Sequence, residues 1–245
     1  FGEVARLSLA FPGADGRALL AALRGPGQRA EAAMFAVTGG VNTHKGALFS
    51  LGLLIAAFVL YSRSAPGRGG EGPGPGLGES VLSTVAGMAQ GLGQELDVPG
   101  KAGAVSAGQR LRRELGVAGA RGQAEAGYPV LASRVLPPLR RARGQGPQAR
   151  EKALLEALLG AMGDLEDTCL LSRGGPEGLE FAQAGAREVL GLWARAGDGN
   201  AGDDGAARAG LARLGRDLVA RRLSPGGSAD LLAGGIFLDS LESPA

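Results

Sequence analysis

The sequence has few of the side chains that usually carry redox, metal or base-stacking chemistry. Its 245 residues include one cysteine (Cys169), one histidine (His44) and one tryptophan, and aromatic residues make up 4% of the chain. A single cysteine excludes an intramolecular disulfide and fits a reducing compartment, so we expect a cytoplasmic protein. The 26 basic and 24 acidic residues nearly balance, and no basic run is interleaved with aromatics. These shortages argue against a nucleic-acid partner.

The sequence also lacks a secretory leader and a clear membrane span. The first residues, FGEVARLSLAF, have no charged n-region and no cleavage site, and because the chain begins with Phe1 we expect its natural N-terminal segment to be missing. The longest apolar run, ALFSLGLLIAAFVLY at residues 47–61, is shorter than the ~18–20 residues that cross a bilayer. Its apolarity on every side predicts a core helix wrapped by other helices, with no membrane partner.

Glycine is abundant, and the segments between its clusters have helical periodicity. Of the 45 glycines, many lie in residues 63–80, which predict a flexible loop, and in residues 195–206, which predict a second loop. Leu154, Leu158 and Met162 share one helical stripe, and Pro176 stands at a helix-opening position. No period-2 run of β-branched residues is present. We therefore predict one all-α, bundle-like domain over residues 1–245, long enough to bury a sizeable core.

The segment TGGVNTHKG, residues 38–46, holds the only histidine and precedes the apolar run. Gly39 and Gly40 end the preceding helix, and Asn42 or Thr43 is a suitable N-cap for the next one. The unpaired N–H groups of a first helical turn suit a phosphate, and Lys45 adds a cation. The alternative is a well-capped helix whose histidine fills a polar gap.

The segment GDLEDT, residues 163–168, is the most acidic constellation in an otherwise apolar stretch. Asp164 and Asp167 are three residues apart and share a face if the helix continues, which would let them hold Mg²⁺ through oxygen ligands. Glu166 points elsewhere on an ideal helix, and Arg173 follows closely. The alternative is a solvated helix end.

Two further segments have the pattern of capped helices. In SPGGSADLLAGGIFL, residues 224–238, Ser228 can cap a helix and Asp230 lies in its first turn; by spacing alone, a plain capped helix is favoured. In GARGQAEAGYP, residues 119–129, Arg121 and Glu125 lie on a helix that the following glycine and proline end.

Four segments together identify a resemblance. MFAVTGGVNTHKGALFSLGLL, GARGQAEAGYP, DLEDTCLLSRGG and SPGGSADLLA occur in this order from about residue 29 to residue 238, and they closely resemble the triphosphoribosyl-dephospho-CoA synthase family. The resemblance implies an all-α, cytoplasmic bacterial enzyme that joins ATP to 3′-dephospho-CoA and releases adenine. The product is the prosthetic-group precursor of citrate lyase or of malonate decarboxylase. A holo-acyl-carrier-protein synthase or the acyl-carrier subunit would be the downstream partner.

The chain also departs from the family pattern. An upstream Thr-Pro-Lys-Pro-Gly-like motif and a Gly-Ala-His-like motif are absent from it. Where relatives typically have Asp-Thr-Asn, this chain has Asp167, Thr168 and Cys169. Ser172 stands where histidine is common, and Ser228 where cysteine or serine is found.

The implied reaction requires particular residue types. Its transition state resembles an oxocarbenium ion and needs an acid near the leaving base, a base near the attacking hydroxyl and nearby carboxylates. We assign catalysis to His44, Glu166 and Asp167, with Glu166 as the base and His44 either protonating adenine or donating to a phosphate. Asp164 and Asp167 would hold Mg²⁺. The ATP- and phosphate-binding residues would be Thr38, Gly39, Gly40, Asn42, Thr43, Lys45, Arg121, Arg173 and Ser228. We expect His44, Lys45, Asp164, Asp167 and Arg173 to converge on one pocket.

Two other functions fit parts of the pattern. A helical Mg²⁺-dependent N-glycosyl hydrolase would use water in place of the sugar hydroxyl. A catalytically degenerate partner of the lyase maturation system would bind the nucleotide but would have no use for the acidic residues 164–167. The presence of both TGGVNTHKG and DLEDT favours the synthase.

Overall fold

The described part of the chain is helical throughout. A computed structural model describes residues 1–64, 76–97, 107–196 and 204–243, and these residues contain no strand. The helices are α1 (Gly2–Ala10), α2 (Gly16–Val37), α3 (Lys45–Ser64), α4 (Leu77–Ala89), α5 (Ala107–Leu115), α6 (Gly119–Glu125), α7 (Leu136–Arg141), α8 (Pro147–Asp164), α9 (Thr168–Ala196), α10 (Gly205–Ala220) and α11 (Gly226–Glu242). A 3₁₀ turn (Gln94–Leu96) and a π-helical segment (Leu131–Val135) complete them. The predicted all-α fold is confirmed.

The central element is α3, which contains the apolar run. It packs against α1, α2, α4 and α11, and Leu54, Ala56 and Ala57 are fully buried. Length and composition alone make α3 the one helix in the described ranges that could cross a bilayer, and 39% of its most apolar window is buried. Packing on several sides matches the prediction of a core helix.

Two apolar clusters meet along α8. The first joins α3, α4, α11 and the π-helical segment, and it includes Ala157 and Ala161 of α8. The second joins α9 and α10 around Trp193, and it includes Leu159 and Met162 of α8. Because α8 is buried on two faces, the position of its C-terminal end is fixed relative to α9 and α11.

The ends of the two predicted loops are helical. Residues 63–64 extend α3, where the Arg63 guanidinium donates to the Ser8 carbonyl, and residues 77–80 already belong to α4. Likewise α9 continues to Ala196, and α10 begins at Gly205. The predicted loop boundaries were therefore too wide. Residues 65–75 and 197–203 lie outside the described residues, and so does most of the flexible stretch predicted between residues 63 and 80.

The predicted helix start at Pro176 is confirmed inside α9. Gly175 has a φ of 62° and a ψ of −165°, so the helical path breaks there and resumes at the proline. Proline suits the first position of a helix because it has no N–H to lose.

A cluster of ion pairs ties α11 to α4 and α7. Glu242 accepts hydrogen bonds from Arg140 (2.6 Å), from Arg143 (2.6 Å) and from the Gly78 backbone N–H (2.7 Å). Burial alone would raise the pKa of Glu242, but the hydrogen bonds from the two arginines outweigh it and lower the pKa from 4.5 to about 2. A carboxyl with a lowered pKa stabilises the fold above its unfolded-state pKa and loses that contribution as pH falls.

We expect Glu242→Gln to lower the free energy of unfolding by on the order of 2–3 kcal/mol at neutral pH, because Arg140 and Arg143 each lose one of their two carboxylate partners. The difference from the parent should shrink as pH falls from about 4.5 to about 2, since the parent carboxylate is protonated there. Urea unfolding across this pH range measures both effects.

The matched control is Glu188→Gln. Glu188 pairs with Arg213 at 2.6 Å, but both side chains are 57% exposed, so the loss should stay below about 1 kcal/mol. Equal losses for the two variants, or a Glu242→Gln difference that does not change with pH, would contradict the account of this cluster.

Candidate functional site

The carboxylate of Asp167 lies between the first turns of two helices. Its Oδ1 accepts hydrogen bonds from the backbone N–H groups of Cys169 (2.9 Å) and Leu170 (3.4 Å), at the start of α9. Its Oδ2 accepts from the Ser228 backbone N–H (2.9 Å) and from the Ser228 hydroxyl (3.0 Å), at the start of α11. Asp167 and Ser228 are fully buried. One carboxylate therefore caps two helices and fixes their ends beside each other.

Asp230 reaches from the second turn of α11 to the first turn of α3. A Cβ added at Gly46 would lie 1.9 Å from Asp230 Oδ2, so the carboxylate can occupy this position only because residue 46 is glycine. The backbone N–H of Ala47 acts on the Asp230 carboxylate from the same turn. The starts of α3, α9 and α11 thus meet around two carboxylates.

The environment of Asp230 shifts its titration into the neutral range. Burial, followed by the negative charge of Asp167, raises the pKa of Asp230 from 3.8 to about 7, and the Ala47 N–H offsets this only in part. A carboxyl that titrates near neutral pH can accept and return a proton under working conditions. Asp230 is therefore suited to acid–base chemistry, whereas Asp167 has both oxygens engaged.

Cys169 and Arg173 lie on the first turns of α9, next to these carboxylates. Burial and the charges of Asp167 and Asp230 raise the pKa of the Cys169 thiol from 9.0 to about 11, partly offset by the Gly227 N–H and the charge of Arg173. A thiol with this pKa stays protonated at neutral pH and is a poor nucleophile. Arg173 is exposed and supplies positive charge at the rim.

Residues 38–44 form the turn between α2 and α3. Gly39 and Gly40 have φ values of 63° and 86°, which confirms that they end α2 in left-handed conformations. Asn42 Oδ1 accepts the Lys45 N–H at 3.0 Å, so Asn42 caps α3 as one of the two predicted candidates. Thr43 instead contacts the His44 ring, with 2.7 Å between Thr43 Oγ1 and His44 Nδ1. The Thr38 hydroxyl lies within hydrogen-bond distance of the carbonyl oxygens of Met34 and Val41, to which it can donate.

The first turn of α3 faces different partners from those predicted. Its Lys45 N–H is taken by Asn42, and the Ala47 N–H faces the Asp230 carboxylate, so the turn meets a side-chain anion of this chain. The Lys45 ammonium pairs with Glu31 of α2, and the lysine side chain is 52% exposed. His44 is exposed at the start of α3.

The predicted Mg²⁺ pair, Asp164 and Asp167, required one helix to continue through both residues, and that prediction is wrong. The helix α8 ends at Asp164, and Leu165 is extended with a ψ of 135°, so Asp164 and Asp167 do not share a helix face. Asp164 is exposed and pairs with Arg134 and Arg187. Asp167 has both oxygens occupied by hydrogen bonds, and within the described ranges no group of three or more metal-ligating side chains is placed to hold an ion. These residues do not fit a protein-held Mg²⁺ site.

The remaining predicted residues lie in different surroundings. Glu166 is exposed on the short connection between α8 and α9. Arg121 on α6 pairs with Glu95 at 3.3 Å. The structure brings Asp167 and Ser228 into contact and places Arg173 further along α9, whereas Asp164 and Arg121 pair with residues elsewhere.

Sequence reasoning missed Asp230 as a site residue. The spacing predicts a helix capped by Ser228 with Asp230 in its first turn, a position where carboxylates commonly complement the helix dipole. That prediction is wrong, because α11 begins at Gly226 and Asp230 lies in its second turn. Its special surroundings come from Gly46 and Asp167, which are 184 and 63 positions away in the sequence. No local signal joins these three residues.

Comparisons with known proteins agree with the sequence resemblance. A family profile described as ATP:dephospho-CoA triphosphoribosyl transferase matches residues 5–245. A protein of Pseudomonas savastanoi pv. phaseolicola named "Probable 2-(5''-triphosphoribosyl)-3'-dephosphocoenzyme-A synthase" is 40% identical, and the match covers 93% of this chain and 70% of that protein. Proteins of the same name from Azotobacter vinelandii and Pseudomonas putida are 42% and 40% identical, covering 88% and 92% of this chain and 66% and 71% of theirs. No solved structure matches the chain.

We expect Gly46→Ala to destabilise the protein by about 1–3 kcal/mol, because the new methyl group would overlap the Asp230 carboxylate and displace it from its place beside the Ala47 N–H. The matched control is Gly52→Ala on the same helix, where an added Cβ meets nothing within 4 Å. That variant should be as stable as the parent or up to about 1 kcal/mol more stable, since alanine favours helix. Chemical denaturation of both variants tests the close approach, and equal stabilities would contradict it.

Proposed function

The chain belongs to the ATP:dephospho-CoA triphosphoribosyl transferase family and is a transferase of that class, and from this premise we propose that the transfer takes place where α3, α9 and α11 begin. In the reaction, the 2′-hydroxyl of 3′-dephospho-CoA attacks C1′ of the ATP ribose. The bond from C1′ to adenine breaks, adenine leaves, and the triphosphate stays intact. The hydroxyl proton must be taken up, and the departing base must gain one.

Asp230 is the group we assign as the base. The observation that carries this assignment is its position: it lies at the junction of the helix starts, with burial and a neighbouring negative charge bringing its pKa to about 7. At this pKa a large fraction of the carboxyl is ionised at neutral pH and can accept the hydroxyl proton. Its negative charge also favours the positive charge that develops at C1′. Glu166, the base expected from the sequence, is the alternative.

Asp167 and Ser228 act as positioning residues in this proposal. Asp167 holds the start of α11 through two contacts to Ser228, and Asp230 is two positions further along that helix. The role assigned to Asp167 from the sequence, direct catalysis or metal binding, is replaced by the role its hydrogen bonds support.

Exposed cations at the rim are suited to the anionic substrates. Lys45 pairs with Glu31 on the surface, and such exposed pairs are weak enough to be exchanged for a phosphate. We assign Lys45 and Arg173 to the triphosphate, and His44 to protonation of the leaving adenine. Mg²⁺ would enter with ATP as part of the substrate.

The cellular setting follows from the family and is part of the proposal. We place the chain in the cytoplasm, with the acyl-carrier subunit or a holo-acyl-carrier-protein synthase downstream. Citrate lyase and malonate decarboxylase are the two enzymes whose prosthetic group such a product could supply.

We expect Asp230→Asn to lower kcat/KM for triphosphoribosyl transfer by about 10²–10⁴-fold in the full-length protein, because the base is lost. The fold should persist in this variant. Because the folded protein raises the pKa of Asp230, the free energy of unfolding of the parent falls as pH rises from 3.8 to about 7, and the uncharged Asn avoids this loss. Adenine release and product formation measure the activity, and circular dichroism checks the fold.

Glu166→Gln is the discriminating control. It should reduce transfer less than about 3-fold if Asp230 is the base, since loss of a catalytic base costs far more. If Glu166→Gln loses most of the transfer activity while Asp230→Asn stays active, Asp230 is not the base. Adenine release by the parent without dephospho-CoA would indicate a hydrolase, and no release with both substrates would indicate a binding protein; either result would overturn the proposed function.

We expect Lys45→Met to weaken ATP binding by roughly 10- to 100-fold, equivalent to about 1.5–3 kcal/mol for one charge-assisted contact. The free energy of unfolding should change by less than about 1 kcal/mol, because the Lys45–Glu31 ion pair that is lost is exposed. Lys152→Met on α8 removes a lysine whose ammonium lies 3.9 Å from Asp204, away from the site, and should leave ATP affinity unchanged. Calorimetry measures the affinity. If Lys45→Met binds ATP as tightly as the parent, the Lys45 side chain does not contact the triphosphate and the assignment is wrong.

A further inference from the structure

Glu31 of α2 holds the Lys45 side chain at the start of α3. A Glu31 carboxylate oxygen and the Lys45 ammonium form an ion pair between residues 14 positions apart, on either side of the turn of residues 38–44. The Glu31 side chain is 30% exposed and the Lys45 side chain 52% exposed, so water reaches both charges. The ammonium that we assign to the triphosphate therefore already has an anionic partner within the chain.

This ion pair lies next to the junction of the three helices. Lys45 directly precedes Gly46, where an added Cβ would lie 1.9 Å from Asp230 Oδ2. Because consecutive Cα atoms are ~3.8 Å apart, the Lys45 backbone lies beside the Asp230 carboxylate. Asn42 accepts the Lys45 N–H at 3.0 Å and holds this backbone in place, while the flexible four-carbon stem of the lysine lets its ammonium change partner.

The donors of the ammonium group determine how Glu31 affects a bound triphosphate. A lysine ammonium has three N–H donors, so it can leave Glu31 for a phosphate or bridge both anions. Leaving Glu31 breaks the ion pair. Bridging holds the carboxylate and a phosphate oxygen about 5 Å apart, where like charges repel. In either arrangement, the negative charge of Glu31 opposes binding of the triphosphate.

Resting on the proposed role of Lys45 as a triphosphate ligand, we propose that Glu31 is a positioning residue that holds the Lys45 ammonium beside the junction and competes for it with the triphosphate of ATP. Glu31 acts on ATP through Lys45 and takes no part in proton transfer or bond cleavage. It therefore sets the affinity for the triphosphate, while the rate of the chemical step does not depend on it.

The test is the ATP affinity of Glu31→Gln, measured by calorimetry in the full-length protein. We expect ATP to bind about 2- to 5-fold more tightly than to the parent, the range expected when an exposed ion pair no longer opposes binding. The gain should disappear near 1 M salt, where the screening length is ~3 Å. Affinity for adenosine, which has no phosphate, should not change, and kcat should stay within about 2-fold of the parent. A lower melting temperature with unchanged ATP affinity would show a purely structural ion pair and would overturn the proposal.

Glu3→Gln is the matched control for charge. Glu3 pairs with Arg29, which lies on α2 two positions before Glu31, and the Glu3 and Arg29 side chains are 53% and 63% exposed. This substitution removes the same charge from the protein but leaves Lys45 paired with Glu31, so ATP affinity should not change. An equal gain in both variants would mean that net charge controls the affinity, and the proposal would be wrong.

Lys45→Met separates this proposal from the proposed function. If Lys45→Met weakens ATP binding but Glu31→Gln binds ATP no more tightly than the parent, Glu31 does not compete with the triphosphate, and the assignment of Lys45 stands. If Lys45→Met binds ATP as tightly as the parent, the assignment of Lys45 is wrong, and the role of Glu31 is wrong with it.

Discussion

The arrangement depends on one carboxylate, Asp167, held between two helix starts. Four hydrogen bonds at 2.9–3.4 Å satisfy it, and the positive ends of α9 and α11 compensate its buried charge. The two helices come from distant parts of the chain and belong to different apolar clusters. Removing this carboxylate would leave Ser228 and two backbone N–H groups without partners, which is why we treat Asp167 as the structural centre of the site.

The properties of Asp230 follow from that constraint. Because α11 is pinned at Ser228, the next turn places the Asp230 carboxyl against Gly46, where it is partly buried and close to a second negative charge. A side chain that is ordinary by residue type thereby becomes a group that titrates near neutral pH. The raised pKa of Asp230 therefore depends on the junction of three helices more than on any one of them.

The sequence predicted the helical fold, the core position of α3, the end of α2 at Gly39 and Gly40, and the break before Pro176, because each depends on local periodicity or local backbone preference. The metal pair failed because it assumed that α8 continues past Asp164. Asp230 could not be found from the sequence, since its surroundings depend on Gly46 and Asp167, which only the tertiary fold brings close to it. The roles of His44, Lys45 and Arg173 stay predictions.

The central claim is that the fold places Asp230 in an environment that brings its titration close to neutral pH. Carbon-13 NMR of labelled aspartate side chains in the full-length protein measures this directly. We predict one aspartate with a pKa of about 7 that disappears in the Asp230→Asn spectrum. A titration of Asp230 near 3.8, the value of an ordinary aspartate, would contradict the account.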